Sequence, residues 1–385
     1  MEKLIVKNFG PIKEAEINLT KYVVFIGDTS TGKSVLAKLI AIFRDSYLRL
    51  SITNSLKINI KNELKAYNID FNIEKAEIKY CDENIILCEL VDNEIVLTDI
   101  ELKQYNIEDI RIKLDNLTKQ STFPQFLDFD KEKFLELAFN KFLNDRSSTY
   151  IPAERILFSL IGNSLSGLWA NNVALPECYK DFAAKYEVAR AEIPSARFED
   201  LGIDYNYEKG GDEVLINNTK VLLSAASSGI QSLIPLLLVI DYEIKMNQTD
   251  FKYSKTLIVE EPELNLFPIK QKRLIDHIAL KLNNTKHTTV ITTHSPYILS
   301  SLDTLILAKN TFDEHHNLKE EINSIVSEEK WIAFDEISVY EVRNDGKVYS
   351  IKNEEFRSID TNAIDGVSDI ISEEFDKLTE LRYAQ

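Results

Sequence analysis

The segment Tyr22–Ser34 reads YVVFIGDTSTGKS, and few folds accommodate it. Tyr22–Ile26 is a short continuous apolar run and reads as a buried strand. Gly27–Ser34 fits G-x-x-x-x-G-K-[ST], a loop whose glycines let the backbone wrap closely around phosphate. Val35, Leu36, Leu39, Ile40 and Phe43 then recur at helical spacing, which predicts a helix from Lys33 to about Leu50. The chain holds 11 glycines, and two fall at the required spacing before Lys33 and Ser34. Amides of the loop and of the helix N-terminus face an anion in this arrangement. The expected nucleotide-binding residues are therefore Gly27, Asp28, Thr29, Ser30, Thr31, Gly32, Lys33, Ser34 and Val35. Lys33 is expected to reach the β- and γ-phosphates and to act in catalysis, and Ser34 to ligate Mg2+. The expected cofactors are ATP and Mg2+.

A second constraint lies at Leu257–Pro268, LIVEEPELNLFP, whose opening apolar run ends in two carboxylates. Strand ends in a parallel α/β sheet point at the ligand crevice. Glu260 stands where an acid holds the magnesium shell, and Glu261 where one orients or deprotonates an attacking water. P-loop proteins mostly use Asp at the first of these positions. The longer Glu260 is expected to act through water. Two solvated acids at a strand terminus are the bland alternative, and they leave PELNLFP unexplained. The strand Thr256–Glu260, a helix over Ile269–Leu282 and a strand over Thr288–Thr292 alternate as a βαβ unit. ITTHS at Ile291–Ser295 puts His294 just past the last of these. Ser227, Ser228 and Gly229 open a helix running from about Gly229 to Lys245.

In this order the motifs resemble those of ABC-type ATPases. EEPELNLFP is similar to their Walker B and D-loop, ITTHSP to their switch-histidine loop, and SSG to their signature. The resemblance implies that His294 contacts the γ-phosphate and that Ser227, Ser228 and Gly229 cap the γ-phosphate held by an opposite protomer. Within that family the opening LIVKNFGPIKEAEI and the long stretch between Ser34 and Ser227 resemble the SMC/RecF/OLD-like branch. Members of that branch include ATPase components of anti-phage defence systems, which often work with a nuclease or toxin on another chain. The likeness covers residues 1–45, Tyr150–Arg155 and residues 200–310. It departs at Ser228, where the signature has Gly, at Ile230, where it has a polar residue, and at Ala153-Glu154, where YIPAER lacks the Gln of a Q-loop. Arg155 reads equally as a residue acting on nucleotide or a neighbouring subunit, or as a surface ion-pair anchor.

The fold class expected is α/β, a P-loop NTPase of the ABC or SMC-head type with a β-rich side layer and a helical insertion. Residues 1–50 and 200–310 form the ATPase core in this reading. Residues 51–106 alternate in short β-like pieces as an antiparallel layer. Residues 107–199 are mainly helical and contain the Q-loop-like strand 149–155. Residues 311–385 form a C-terminal appendix, with strands Glu336–Val342 and Lys347–Ile351 about the turn Asn344-Asp345-Gly346. A hairpin is expected about Lys209–Asp212.

Composition narrows the function. Three cysteines, Cys81, Cys88 and Cys178, are too few and scattered for a disulfide framework or a zinc site. No apolar run reaches membrane-spanning length, and the N-terminus reads as a strand, so a cytoplasmic protein is expected. The net charge of −17 repels phosphate backbones, which makes DNA possible but not favoured as a partner. Asp128-Phe129-Asp130 and His315-His316 read as surface residues, and no nuclease-type Toprim cluster of acids follows His294. The favoured function is an ATP-hydrolysing switch, a homo-oligomer whose heads sandwich Mg-ATP and which controls a separate effector in anti-phage defence. The alternatives are a DNA-repair ATPase of the RecF/SMC type and a low-turnover nucleotide-dependent scaffold.

Overall fold

The computed structural model describes residues 1–53, 57–83, 85–98, 148–162, 174–208, 211–216, 219–247, 255–360 and 362–383. Strands β1 (Glu2–Phe9), β2 (Ile12–Asn18) and β3 (Tyr22–Ile26) open the chain, followed by the helix Lys33–Thr53. Next come β4 (Lys57–Asn59), β5 (Glu77–Asp82), β6 (Ile85–Val91), β7 (Glu94–Leu97) and β8 (Ser148–Ile151). Strands β9 (Ser195–Phe198), β10 (Ile203–Glu208), β11 (Gly211–Ile216) and β12 (Thr219–Leu222) precede the helix Ser228–Asn247. The larger strands close with β13 (Thr256–Glu260), β14 (Thr288–Thr293), β15 (Ile337–Val342) and β16 (Val348–Ser350).

The central sheet runs β16-β15-β3-β14-β13-β8. Its five strands from β15 to β8 are parallel, and β16 is an antiparallel edge. Burial on both faces explains why β3 reads as an unbroken apolar run. Tyr22, Val24 and Ile26 enter one core, with Leu257, Val259 and Ile291, under the helices Glu177–Glu192, Ser228–Asn247, Pro268–Leu282 and Pro296–Glu314. Val23 and Phe25 enter a second core on the opposite face, with Ile258, Val290 and the helix Lys33–Thr53. Together the phosphate loop, the helix after it, the expected βαβ unit and this parallel sheet make an α/β P-loop NTPase fold.

The β-rich stretch is not a separate layer. The hairpin β1–β2 continues into it through β1 and β5, giving one antiparallel sheet of order β2-β1-β5-β6-β7-β4. Leu4, Val6 and Ile17 of this sheet share a core with Leu36, Leu39 and Phe43. One expectation within this stretch fails. Ile60–Ala66 is a helix, capped by the Asn59 side chain accepting from the Lys61 amide, and Phe71–Ala76 has no strand. The Asn59 cap and the burial of Ile60 and Leu64 at i and i+4 account for this helix. The expected helices over Ile107–Asn144 and the motif Asp128-Phe129-Asp130 lie outside the described residues. The insertion is helical at Ile156–Leu160 and Glu177–Glu192. The hairpin β10–β11 forms, with Lys209 and Gly210 of its turn outside the described residues.

The C-terminal stretch is not an appendage either, because β15 lies beside β3 in the central sheet, pairing Tyr340 with Phe25. Its sequence, ISVYEV, is buried at every position but Glu341, as an interior strand requires. β15 also walls the phosphate loop: a Cβ on Gly27 would lie 2.2 Å from the Val342 carbonyl. From the other side, a Cβ on Gly32 would meet Ile12 Cδ1 at 2.5 Å and Pro11 Cγ at 2.9 Å. Both loop glycines are thus fixed by the protein's own packing. The turn after β15 docks onto the same hairpin, with the Gly346 carbonyl accepting from the Lys13 amide at 2.8 Å. Gly346 has φ +81°, and a Cβ there would lie 2.7 Å from the Pro11 carbonyl. Gly346→Ala is predicted to lower stability by about 1–3 kcal/mol. Urea unfolding checks this, and an unchanged midpoint would contradict the packing described.

Candidate functional site

The register of the parallel sheet sets the site. Ile26 pairs with Thr293, and Thr292 with Glu260, so β3, β14 and β13 end level with one another. The residues just beyond these strand ends are therefore brought together at one sheet edge: the Gly27–Ser34 loop, His294 and Glu261. β8 ends at the same edge and leads into Pro152–Arg155.

In the loop, Ser30 takes a left-handed conformation (φ +65°), and Gly27 and Gly32 have φ of +155° and +109°. Asp28, Thr29 and Ser30 are exposed, while Thr31, Gly32, Lys33 and Val35 are buried and Ser34 is half-buried. Lys33 Nζ folds back into the loop, donating to the carbonyls of Gly27 at 3.0 Å and Asp28 at 2.7 Å. Burial lowers its pKa, against the pull of Glu261, Asp28 and Glu263. His294 Nδ1 lies 3.4 Å from Lys33 Nζ, and its Nε2 lies 3.2 Å from Glu261 Oε1. Lysine, histidine and the second acid thus form a connected row along the sheet edge.

Glu260 is buried under the loop. Its Oε2 accepts from the Tyr150 hydroxyl at 2.7 Å, and the Ser34 side chain stands close to the same carboxylate. Its Oε1 is buried with no partner. Burial raises the Glu260 pKa, opposed by the charge of Lys38 and by those two side chains. A buried carboxylate oxygen left unpaired beside a serine hydroxyl has the chemistry of a hard-cation site. The residues present therefore fit a divalent cation at Glu260 and Ser34, and a phosphate chain within the loop.

Glu261 leaves the strand at φ +43°, its amide donating to the Thr292 carbonyl at 2.9 Å. Two residues on, Glu263 Oε1 accepts from the Thr293 hydroxyl at 2.7 Å and from the His294 amide at 2.8 Å. The acidic loop thereby fixes the backbone that carries His294.

The two readings of Arg155 both give way. Arg155 is fully buried, so it is neither a surface anchor nor exposed toward another subunit. Its guanidinium donates to five main-chain carbonyls: Ser232 at 2.9 Å, Pro152 at 3.0 Å, Glu260 at 2.8 Å, Glu261 at 2.9 Å and Pro262 at 3.3 Å. Desolvation brings its pKa down to about 10, against the attraction of Glu263, Glu261, Glu260 and Glu154. Glu154, in the Gln position of the resemblance, accepts from the Tyr179 hydroxyl at 2.8 Å.

Arg155 also ties the acidic strand to the helix Ser228–Asn247. Ser227 and Ser228 are exposed and Gly229 is buried, at the start of that helix and against the acidic loop. A Cβ on Gly229 would lie 2.7 Å from the Asn265 carbonyl, which explains the glycine without a ligand. This helix belongs to the core on one face of the sheet, and the helix of the phosphate loop to the other. His315 and His316 are exposed, and no cluster of three His, Cys, Asp or Glu suited to a metal occurs among the described residues.

Lys33, Ser34, Glu260, Glu261 and His294 are thus brought together, and Ser227–Gly229 lie where their helix starts against the acidic loop. Sequence reasoning missed Tyr150, Glu263, Lys38 and the role of Arg155. Glu263 alone left a local signal, the third acid of EEPE.

Residues 163–299 match a family model described as an AAA ATPase domain, a span that includes Ser227–Gly229, Glu260, Glu261 and His294. The match covers less than half of the chain. It supports an ATPase of P-loop type. A comparison with curated proteins found no match. Among solved structures, the SMC head domain from Thermotoga maritima aligns at 12% identity, covering 78% of this chain and 90% of that one, with a TM-score of 0.36. An SMC head bound to the C-terminal winged-helix domain of ScpA aligns at 16% identity, covering 91% and 96%, with a TM-score of 0.36. An SMC head with an extended coiled coil, bound to the C-terminal domain of ScpA derived from Pyrococcus furiosus, aligns at 12% identity. That alignment covers 99% and 100%, with a TM-score of 0.37. Scores this low do not establish a shared fold, and the fold rests on the strand order and loop above. No helix among the described residues is long and apolar enough to cross a membrane.

Removing the guanidinium leaves buried carbonyls unsatisfied beside several acids. Arg155→Ala is predicted to cost ~3 kcal/mol or more, and Arg155→Lys to recover little of it, since an ammonium lacks the planar fork. Denaturant titration of both variants checks this, and a loss under about 1 kcal/mol would refute the clamp.

Proposed function

We propose that this chain is an ATP-hydrolysing switch that closes on a second copy of itself around Mg-ATP. The observation that carries the reading is the buried, unpaired oxygen of Glu260 beside Ser34, with Lys33, Glu261 and His294 on the same sheet edge. Bound Mg-ATP supplies the γ-phosphoryl group and the charge neutralisation its transfer needs. The protein residues do the rest. Gly27–Val35 wrap the phosphates, and Lys33 turns its ammonium from the loop carbonyls toward them. Ser34 and Glu260 hold the cation side. Glu261 takes a proton from the attacking water, and His294 orients Glu261 and the phosphate end.

The second copy enters because Ser227–Gly229 start a helix on the sheet face opposite the phosphate-loop helix. Ser227 and Ser228 of one protomer then cap the nucleotide held by its partner, and hydrolysis opens the pair. The motif resemblance to the OLD-like branch supports an effector on a separate chain, a nuclease or toxin, and a role in anti-phage defence. Cys81, Cys88 and Cys178 are buried and form no disulfide, which suits a reducing cytoplasm. The domain division that accompanies this reading is an ATPase core with β15 included, a β-rich layer shared with β1 and β2, and a helical insertion.

Lys33→Ala is expected to weaken ATP binding at least about 100-fold, while Glu261→Gln keeps binding and loses at least about 100-fold in turnover. Fluorescent-nucleotide binding and phosphate release measure the two. Full binding by Lys33→Ala would remove the phosphate-loop assignment, and undiminished turnover by Glu261→Gln would remove its catalytic role.

A further inference from the structure

Tyr150 is a buried tyrosine whose hydroxyl meets the carboxylate beneath the phosphate loop. It lies on β8, the edge strand beside β13, so its ring stands next to the end of the acidic strand. Two aromatic residues brace that ring. Tyr67, just past the short helix of the β-rich layer, meets it edge-on at 6.1 Å, and Tyr179, on the helix Glu177–Glu192, at 6.0 Å. Lys38 Nζ lies 5.2 Å from the ring centroid on the side of the phosphate-loop helix. Tyr67 is itself anchored, its hydroxyl sharing a hydrogen bond with Ser148 at 3.1 Å. Three separate parts of the chain thus converge to hold one phenol.

That phenol donates to Glu260 Oε2 at 2.7 Å, leaving Oε1 buried and unpartnered. A buried, half-paired carboxylate is costly unless something completes it. Ser34 of the loop stands close to the same carboxylate. The extra methylene of Glu over Asp then has a purpose. An Asp at this position would draw the carboxylate back by about 1.5 Å, one C–C bond, away from either Tyr150 or Ser34.

We propose that Tyr150 is a positioning residue for the metal: it occupies Oε2 of Glu260 and so directs Oε1 toward a divalent cation bound with ATP at Ser34. This rests on the nucleotide-binding reading above and assigns a task to the β-rich layer and the helical insertion, which brace the phenol through Tyr67 and Tyr179.

The test is a Mg2+ titration of mant-ATP binding to the full chain, with a parallel arm in EDTA. Four proteins are compared: wild type, Tyr150→Phe, Glu260→Gln and the double variant. Tyr150→Phe keeps the ring and its packing while deleting the donor. It is expected to raise the Mg2+ concentration for half-maximal binding about tenfold, the scale of one hydrogen bond to a charged group. Metal-free binding in EDTA is expected to stay unchanged. In the Glu260→Gln background the same substitution is expected to have no further effect, because the carboxylate it directs is gone. An unchanged or lower Mg2+ midpoint in Tyr150→Phe overturns the proposal. So does an equal loss with and without Mg2+, which marks a packing role, or an effect that persists beside Glu260→Gln. Absence of mant-ATP binding by the wild type in both arms instead overturns the nucleotide reading, and this proposal with it.

Discussion

A single buried guanidinium organises the acidic edge of this protein. Taking an arginine out of water is costly, and the hydrogen bonds that offset it for Arg155 all go to main-chain carbonyls. Three of the five come from Glu260, Glu261 and Pro262 at the end of β13. The geometry of the guanidinium fork therefore dictates where that strand stops and how the next loop turns. The charge matters as much as the geometry. Glu260, Glu261 and Glu263 crowd one short stretch, with Glu154 close by, and Arg155 and Lys33 supply the positive charges that let them coexist. The bond to Ser232 extends the clamp to the helix behind Ser227–Gly229. In the proposed assembly, contact of that helix with a partner's nucleotide and the position of Glu261 are coupled through one side chain.

Features written in contiguous residues were legible in the sequence. The phosphate loop could be read because its glycine spacing, preceding apolar run and following helix are all local. The acidic strand end and His294 could be read because each closes a short apolar strand. Reading Tyr22–Ile26 as a buried strand also held, and the two cores divide its residues alternately.

The rest was hidden for identifiable physical reasons. β15 looked like part of an appendage because a parallel strand's neighbour is set by long-range packing, and Phe25 and Tyr340 meet from opposite ends of the chain. Phe71–Ala76 looked like the start of a strand because Phe71 and Ile73 alternate with polar residues, but pairing begins only at Glu77. Arg155 looked ambiguous because its partners are carbonyls, which leave no trace in side-chain identity. Tyr150 looked like an ordinary strand residue, since its partner Glu260 is 110 positions away. Two of the departures from the ABC-type pattern, Glu260 and Glu154, have partners of their own within the chain.

The central claim is that nucleotide at this edge joins two copies of the chain, and solution mass tests it most directly. Glu261→Gln should hold ATP without turning it over, so its mass by light scattering can be compared with and without Mg-ATP. The account predicts a monomer alone and a dimer with Mg-ATP, reverting to monomer when Ser227 and Ser228 are both replaced by bulky residues. The same mass with and without nucleotide, whether monomer or larger assembly, would contradict it.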